Sequence, residues 1–477
     1  MESACSRNEG IPKAMFEVGS KTIFIHDKTR GFDMIGGVSD GVSTLITEIW
    51  YPVFPLDVKA QTRQPDYGDY VFGNKAVHAQ MMYDTTFFHA REIEPLYGTL
   101  TVQSEFSQKD LDQAVAELFH RKRNSYLDLP LADTGDSFPV VVSSHGDAGS
   151  RYNLETACEY LASHGYIVIA PDHTGNSPFS MVGMDPDLDP GSAVINEQGV
   201  YGETFPVEPF YGQTYQVFQP IPGTQLPDIL KADQAVIQRV NDLRAILTKL
   251  EKMNAFGPFA GRIDLNRMGL MGKSFGGTTT LAGLELENRF KAGVAVVPAS
   301  IPDLRKFFVD HLDGVLPDNR ESALLEPDMG KNPAFTAMNK PCLIINCEED
   351  GIIIRFNEAF NLKKSSRPTQ KNTHPALYTV FNSTKAPVIW TMFEDADHST
   401  CGVSGPYWWP TIKRNKYPRY FNPKEEYTLI HPKKAHKILK ELCLNFFDLY
   451  LKEDKAVLEP LLTNKNSCLK MEHRNYI

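Results

Sequence analysis

The stretch Met268-Gly269-Leu270-Met271-Gly272-Lys273-Ser274-Phe275-Gly276-Gly277 constrains this chain more than any other. A short apolar strand runs into G-x-S-x-G and then into small residues, Thr278 to Gly283, that can begin a helix. A serine on a sharp strand-to-helix turn has a backbone that side chains at the flanking positions would obstruct. Glycine at 272 and 276 removes the obstruction and lets a carbonyl group approach the Ser274 hydroxyl. Context matters more than the pattern, because Gly37-Val38-Ser39-Asp40-Gly41 spells it too. That copy lies between two strand-like stretches, Lys21 to His26 and Thr44 to Val53, with no helix pattern after it, so Ser39 reads as a loop serine.

The 477 residues are 42% hydrophobic and 23% charged, ordinary for a globular chain with a large core and insertions. A net charge of −10 argues against nucleic acid or an anionic membrane as a main partner. No run of about 18 apolar residues suggests a transmembrane helix. The first ten residues lack the apolar stretch of a signal peptide, which sets the expectation of a cytoplasmic protein. The seven cysteines are scattered and form no C-x-x-C pair. The expectation is therefore free thiols in a reducing compartment, with no metal site and no cofactor.

From residue 138 the chain alternates strand-like and helix-like segments, which predicts an α/β fold with a mainly parallel sheet covered by helices on both faces. Strands are expected at Phe138 to Ser144, Tyr166 to Pro171, the elbow, Ala292 to Val297, Pro341 to Asn346 and Pro387 to Met392. Helices are expected over Tyr152 to Gly165, through Ala232, Val236, Val240, Leu243, Leu247 and Leu250, and from about Pro432 to Lys452. Three parts follow. Residues 1–137 hold early strands that extend the sheet antiparallel and a helical stretch, Gln108 to Arg121. Residues 138–455 form the core, with an aromatic cap or lid insertion at about 172–226. Residues 456–477 are a weakly patterned tail.

A serine nucleophile needs a histidine to take its proton and a carboxylate to orient that histidine. His398 follows the last expected strand of the core and precedes the last strong helix, which makes it the candidate base. Asp350 ends the segment Leu343 to Asp350, where Gly351 permits a turn toward His398, and is the favoured acid. Asp303, after the preceding strand, is the alternative. The oxyanion hole needs two backbone N–H groups. One is expected from Phe275, the other from Asp147 in the loop Ser144-His145-Gly146-Asp147-Ala148-Gly149, with His145 in a supporting role.

These residues, with Leu161-Ala162-Ser163-His164-Gly165-Tyr166-Ile167-Val168-Ile169-Ala170-Pro171-Asp172-His173 and Glu48-Ile49-Trp50-Tyr51-Pro52, resemble the platelet-activating-factor acetylhydrolase and dienelactone-hydrolase-like branch of the α/β-hydrolases. Phe446-Phe447-Asp448-Leu449-Tyr450-Leu451-Lys452 is similar to the last helix of that branch. The resemblance implies the α/β-hydrolase fold. Three departures stand out. Lys273 replaces the histidine usual before the serine. Val296-Val297-Pro298 offers no carboxylate where the acetylhydrolases usually take their acid. The 172–226 segment is also longer and more aromatic.

The expected activity is serine carboxylic-ester hydrolysis through an acyl-enzyme, on a small or lipid-like ester. The alternatives are an acyltransferase with the same triad and a non-catalytic binding protein on this fold. Phe179, Tyr201, Phe205, Phe210, Tyr211, Tyr215 and Phe218, and Tyr407-Trp408-Trp409, either line an apolar pocket or fill the core.

Overall fold

The computed structural model describes residues 15–37, 42–59, 62–69, 79–80, 82–83, 107–177, 217, 229–298, 340–358, 377, 381–382, 384–405, 407–410 and 416–476. Ser39, Asp303 and most of the 172–226 segment, with its seven aromatic residues, lie outside the described residues.

In chain order the elements are β1 (Glu17–Asp27), β2 (Ser43–Val53), α1 (Gln108–Phe119), β3 (Ser125–Leu127), β4 (Phe138–Ser144), α2 (Glu155–Ser163), β5 (Ile167–Pro171), α3 (Ile229–Ala255), β6 (Ile263–Lys273), α4 (Phe275–Leu286) and β7 (Phe290–Val296). They continue with β8 (Cys342–Cys347), α5 (Gly351–Glu358), β9 (Val388–Phe393), the short ladder β10 (Tyr417–Pro418) and β11 (Glu426–Tyr427), α6 (Pro432–Leu451), α7 (Leu458–Leu462) and β12 (Leu469–Arg474). Ten strands form one sheet in the order β12-β9-β8-β7-β6-β4-β5-β2-β1-β3. The stretch from β9 to β5 is parallel throughout. β2 joins β5 antiparallel, and β1 joins β2 antiparallel.

Alternation along the strands builds two apolar layers. Val141, Leu343 and Ile345 point to one face, where α2 and α6 cover them with Leu161, Leu439 and Phe446. Val140, Val142 and Ile344 point to the other, against Leu243, Leu247 and Leu250 of α3 and Leu281 and Leu284 of α4. Each Val or Leu so buried contributes on the order of 1.5–3 kcal/mol before conformational entropy is counted.

β4 lies between β5 and β6. Its own connection runs to α2 on one face, whereas β6 runs into α4 on the opposite face. The loops after β4 and β6 therefore diverge at their carboxyl ends and leave a crevice there, the place where open α/β sheets assemble their sites.

The tail is more ordered than its pattern suggested. β12 pairs antiparallel with β9, Leu469 opposite Phe393 and Arg474 opposite Val388. It is an edge strand in which only Leu469 is buried, so it needs no apolar alternation and leaves little trace in sequence.

Candidate active site

β6 ends at Lys273 and α4 begins at Phe275, which leaves Ser274 as the whole turn. Its φ of 58° and ψ of −120° are rarely adopted by a residue with a side chain. The strain is held by neighbours. Ser274 N–H donates to Val296 O at 2.8 Å, and Ser274 O accepts from Thr278 N–H at 3.1 Å. A Cβ on Gly272 would collide with the Gly276 carbonyl, and one on Gly276 with the Ser144 carbonyl. The two glycines are there because backbone passes where side chains would stand.

The β8–β9 register sets Cys347 opposite Phe393, so the two following loops leave the sheet side by side. Asp350 lies in the first and His398 in the second. His398 Nε2 is 2.9 Å from Ser274 Oγ, and His398 Nδ1 is 2.8 Å from Asp350 Oδ2. In the tautomer these partners favour, Nδ1–H donates to the carboxylate and Nε2 accepts the serine hydroxyl. Asp350 is fully buried, and its Oδ1 accepts from Ile353 N–H at 3.1 Å. The His398 loop folds around Asp397, whose Oδ1 accepts from the N–H groups of Ser399 and Thr400 and from both their hydroxyls. Arg419 ties the two loops together, donating to Glu349 Oε1 at 2.7 Å and Asp395 Oδ1 at 2.6 Å. The buried thiols of Cys347 and Cys401 also meet across them, Sγ to Sγ 3.8 Å.

Lys273 is buried next to the nucleophile, its Cδ and Cε against Gly402. Burial pushes its ammonium below the usual lysine range, and the Asp350 carboxylate pulls it back up.

The loop after β4 stands against the serine. β4 and β6 run in register, Ser144 beside Gly272, and a Cβ on Gly146 would lie 3.0 Å from Ser274 Cβ. Phe275 is the first residue of α4, directly after the nucleophile, and Asp147 follows Gly146 in the loop that stands against Ser274. The Asp147 carboxylate accepts from Asn176 Nδ2 at 2.6 Å and from Val217 N–H at 2.9 Å. His145 supports the loop, with Nδ1–H donating to Gly146 O at 2.7 Å and Nε2 accepting from His173 N–H at 2.9 Å. Burial, with Arg239 nearby, pushes His145 well below the ordinary histidine range and keeps it neutral.

Sequence reasoning missed several residues here. Arg239 of α3 is fully buried and donates to the His145 and Gly146 carbonyls and to Asn176 Oδ1. Asn153 Oδ1 accepts from Gly146 N–H at 3.2 Å. A second Ser–His–Asp chain runs beneath the loop, from Ser144 Oγ to His173 Nε2 and from His173 Nδ1 to Asp242 Oδ2. The available signal was Arg239 and Asp242 interrupting the apolar stripe of α3. Trp408 and Trp409, expected to line a pocket or fill core, are buried in the layer shared with α2 and α6. Among the described residues, no cluster of His, Cys, Asp and Glu side chains is placed to hold a metal ion, and no helix is long and apolar enough to cross a membrane.

Residues 100–306 match the family described as platelet-activating factor acetylhydrolase, isoform II. Residues 258–407 match the prolyl oligopeptidase family. The platelet-activating factor acetylhydrolase of Gallus gallus is 22% identical over 255 residues, 52% of this chain and 52% of that protein. The chain has the α/β-hydrolase fold and is similar, over part of its length, to platelet-activating factor acetylhydrolases. The Canis lupus familiaris enzyme is 29% identical over 172 residues, 35% of this chain and 37% of the relative. The alignments thus span about half the length of the first relative and about a third of the second. Among solved structures, a ferulic acid esterase from Streptomyces cinnamoneus superposes with a TM-score of 0.55 at 17% identity, covering 97% of this chain and 98% of that one. This α/β-hydrolase shares the fold of that esterase.

Proposed function

We propose that this α/β-hydrolase is a serine carboxylic-ester hydrolase acting through an acyl-enzyme on a small or lipid-like ester, with acetylhydrolase-like chemistry. One observation carries the reading: Ser274, on a strained elbow, is hydrogen-bonded to His398, which is hydrogen-bonded to buried Asp350. In this reading His398 Nε2 takes the Ser274 proton as Oγ attacks the ester carbonyl. Asp350 holds the imidazole in the required tautomer and stabilises the imidazolium. The N–H groups of Phe275 and Asp147 receive the oxyanion. His398 then protonates the leaving alcohol, activates a water and returns the serine. The relatedness to the acetylhydrolases supports a short acyl group.

The test is fluorophosphonate labelling of wild type, Ser274→Ala and Ser39→Ala, with turnover of short-chain p-nitrophenyl esters measured alongside. Label and turnover lost in Ser274→Ala and kept in Ser39→Ala is the expected result. A wild type that neither labels nor turns over ester would sink the reading.

A further inference from the structure

Burying a guanidinium is costly unless its donors are engaged in fixed geometry. Arg239 is 0% exposed, and its donors converge on the backbone of one loop. Nη1 donates to His145 O and lies 3.4 Å from Ser144 Oγ. Nη2 donates to Gly146 O at 3.1 Å and to Asn176 Oδ1. Its plane sits over the Phe275 ring, 4.5 Å from the centroid. One side chain thus touches both segments expected to supply the oxyanion donors.

The peptide between Gly146 and Asp147 shows what this geometry does. Its carbonyl accepts from three donors: Arg239 Nη2, His145 Nδ1–H and, closing the turn of the loop itself, Gly149 N–H at 3.2 Å. In a trans peptide the C=O and the N–H of one plane point in opposite directions. Holding Gly146 O toward α3 turns the Asp147 N–H away from α3, on the loop that stands against Ser274. Asn176 completes the frame, since its Oδ1 takes Arg239 and its Nδ2 holds the Asp147 carboxylate. The carboxylate is thereby engaged by its own partners and not presented to a developing negative charge.

We propose that Arg239 is the positioning residue of the oxyanion hole, fixing the Gly146–Asp147 peptide so that its N–H faces the substrate carbonyl oxygen. This rests on the reading of Asp147 and Phe275 N–H groups as oxyanion donors. Arg239 touches no reacting atom; it acts through the loop. A lysine keeps the charge but not the two-pronged donor geometry, so it does not replace Arg239.

The experiment uses the full chain with Arg239→Lys and Arg239→Ala, p-nitrophenyl acetate as substrate, and a trifluoromethyl ketone as an inhibitor that forms a tetrahedral oxyanion on the serine. In both variants kcat falls about 100-fold, the scale of a lost oxyanion donor, while KM stays within about threefold. Affinity for the ketone falls by the same factor as kcat, and guanidinium ion at low millimolar concentration partly restores kcat to Arg239→Ala. A folded Arg239→Lys with unchanged kcat overturns the proposal. So does a kcat loss with ketone affinity intact. If the Arg239 variants do not fold, Asn176→Ala gives the same readout: kcat and ketone affinity fall together, and a fall in only one overturns the proposal. A fully active Ser274→Ala defeats the serine reading itself. An inactive Ser274→Ala beside unaffected Arg239 variants defeats only the positioning role.

Discussion

The hydroxyl of Ser144 lies 2.8 Å from Nε2 of His173. Asp242 Oδ2 is 2.7 Å from the other ring nitrogen. In the order and length of its hydrogen bonds this copies the chain of Ser274, His398 and Asp350, so the described residues hold two Ser–His–Asp arrangements and distances alone do not tell them apart. Their surroundings do. Ser144 is the last residue of β4 and fully buried, His173 is fully buried, and Arg30 pairs with Asp242 at 2.8 Å. Burial, with Arg239 and Arg30 nearby, pushes His173 well below its ordinary range. A base so discouraged from accepting a proton is suited to holding a loop. Ser274 instead occupies a strained turn, and His398 keeps some contact with solvent.

Fluorophosphonate therefore reacts at Ser274 and not at Ser144. Ser144→Ala keeps the label and loses about 1–3 kcal/mol of stability, because buried Nε2 of His173 forfeits its partner. Intact-mass analysis after labelling and a thermal melt check both parts. Loss of label in a folded Ser144→Ala would mean that the buried chain takes part in the chemistry.

Asp350 has two tasks that a single substitution separates. One oxygen holds His398, and the other accepts from Ile353 N–H at the start of α5. The side-chain amide of an Asp350→Asn variant still offers an oxygen acceptor but no negative charge for the imidazolium. Asp350→Asn should lower kcat by about 10⁴-fold with little change in melting temperature. Asp350→Ala should lower kcat as far and also cost about 1 kcal/mol through the lost helix-start contact. Steady-state kinetics beside calorimetry decide it. Asp350→Asn activity within about tenfold of wild type would return attention to Asp303.

Much of this site was legible in sequence because it is built from local rules. A turn serine needs glycines beside it, and loops after neighbouring parallel strands emerge together, which is why Asp350 and His398 were findable from their positions after β8 and β9. The bracing was not legible. His173 and Asp242 are 69 residues apart, and Arg239 reaches His145 across 94. On α3 the apolar stripe through Val236, Val240 and Leu243 marks a buried face, and Arg239 and Asp242 interrupt it, but an interruption in the period does not say which distant groups they meet. The β12 edge strand was missed for the opposite reason: five of its six residues are not buried, so its sequence carries no core signal.

Stability should fall with acid through His436. Its Nδ1 accepts the Thr156 hydroxyl at 2.7 Å, Nε2–H donates to Gly402 O at 3.2 Å, and the Tyr407 ring stacks 4.4 Å away. These contacts suit the neutral ring, and burial pushes His436 down to about 4. The unfolded chain takes up the proton near pH 6.5. Below that the unfolded state binds more protons, so the contribution, on the order of 3 kcal/mol above about pH 6.5, is lost as pH falls toward about 4. Denaturant unfolding at about pH 7.5 and about pH 5 should show a smaller pH dependence in His436→Gln than in wild type. Comparing the two proteins separates this histidine from the carboxylic acids titrating in the same range. Identical slopes would contradict the assignment.

Two glycine substitutions should fail in different ways. At Gly276 an added Cβ runs into the Ser144 carbonyl, backbone against backbone, with nothing flexible to yield. Gly276→Ala should cost about 3 kcal/mol or more and reduce soluble yield. At Gly146 the added Cβ would lie 3.0 Å from Ser274 Cβ and 3.6 Å from Oγ, so a shift of a few tenths of an ångström relieves it. That shift moves the loop relative to the nucleophile. Gly146→Ala should therefore melt close to wild type yet lose about 10- to 100-fold in kcat, the scale expected when a positioned group is displaced by up to an ångström. Melting temperature and kcat measured on both variants give the contrast. Equal losses of stability in the two, or full activity in Gly146→Ala, would show that the loop after β4 does not set the geometry around Ser274.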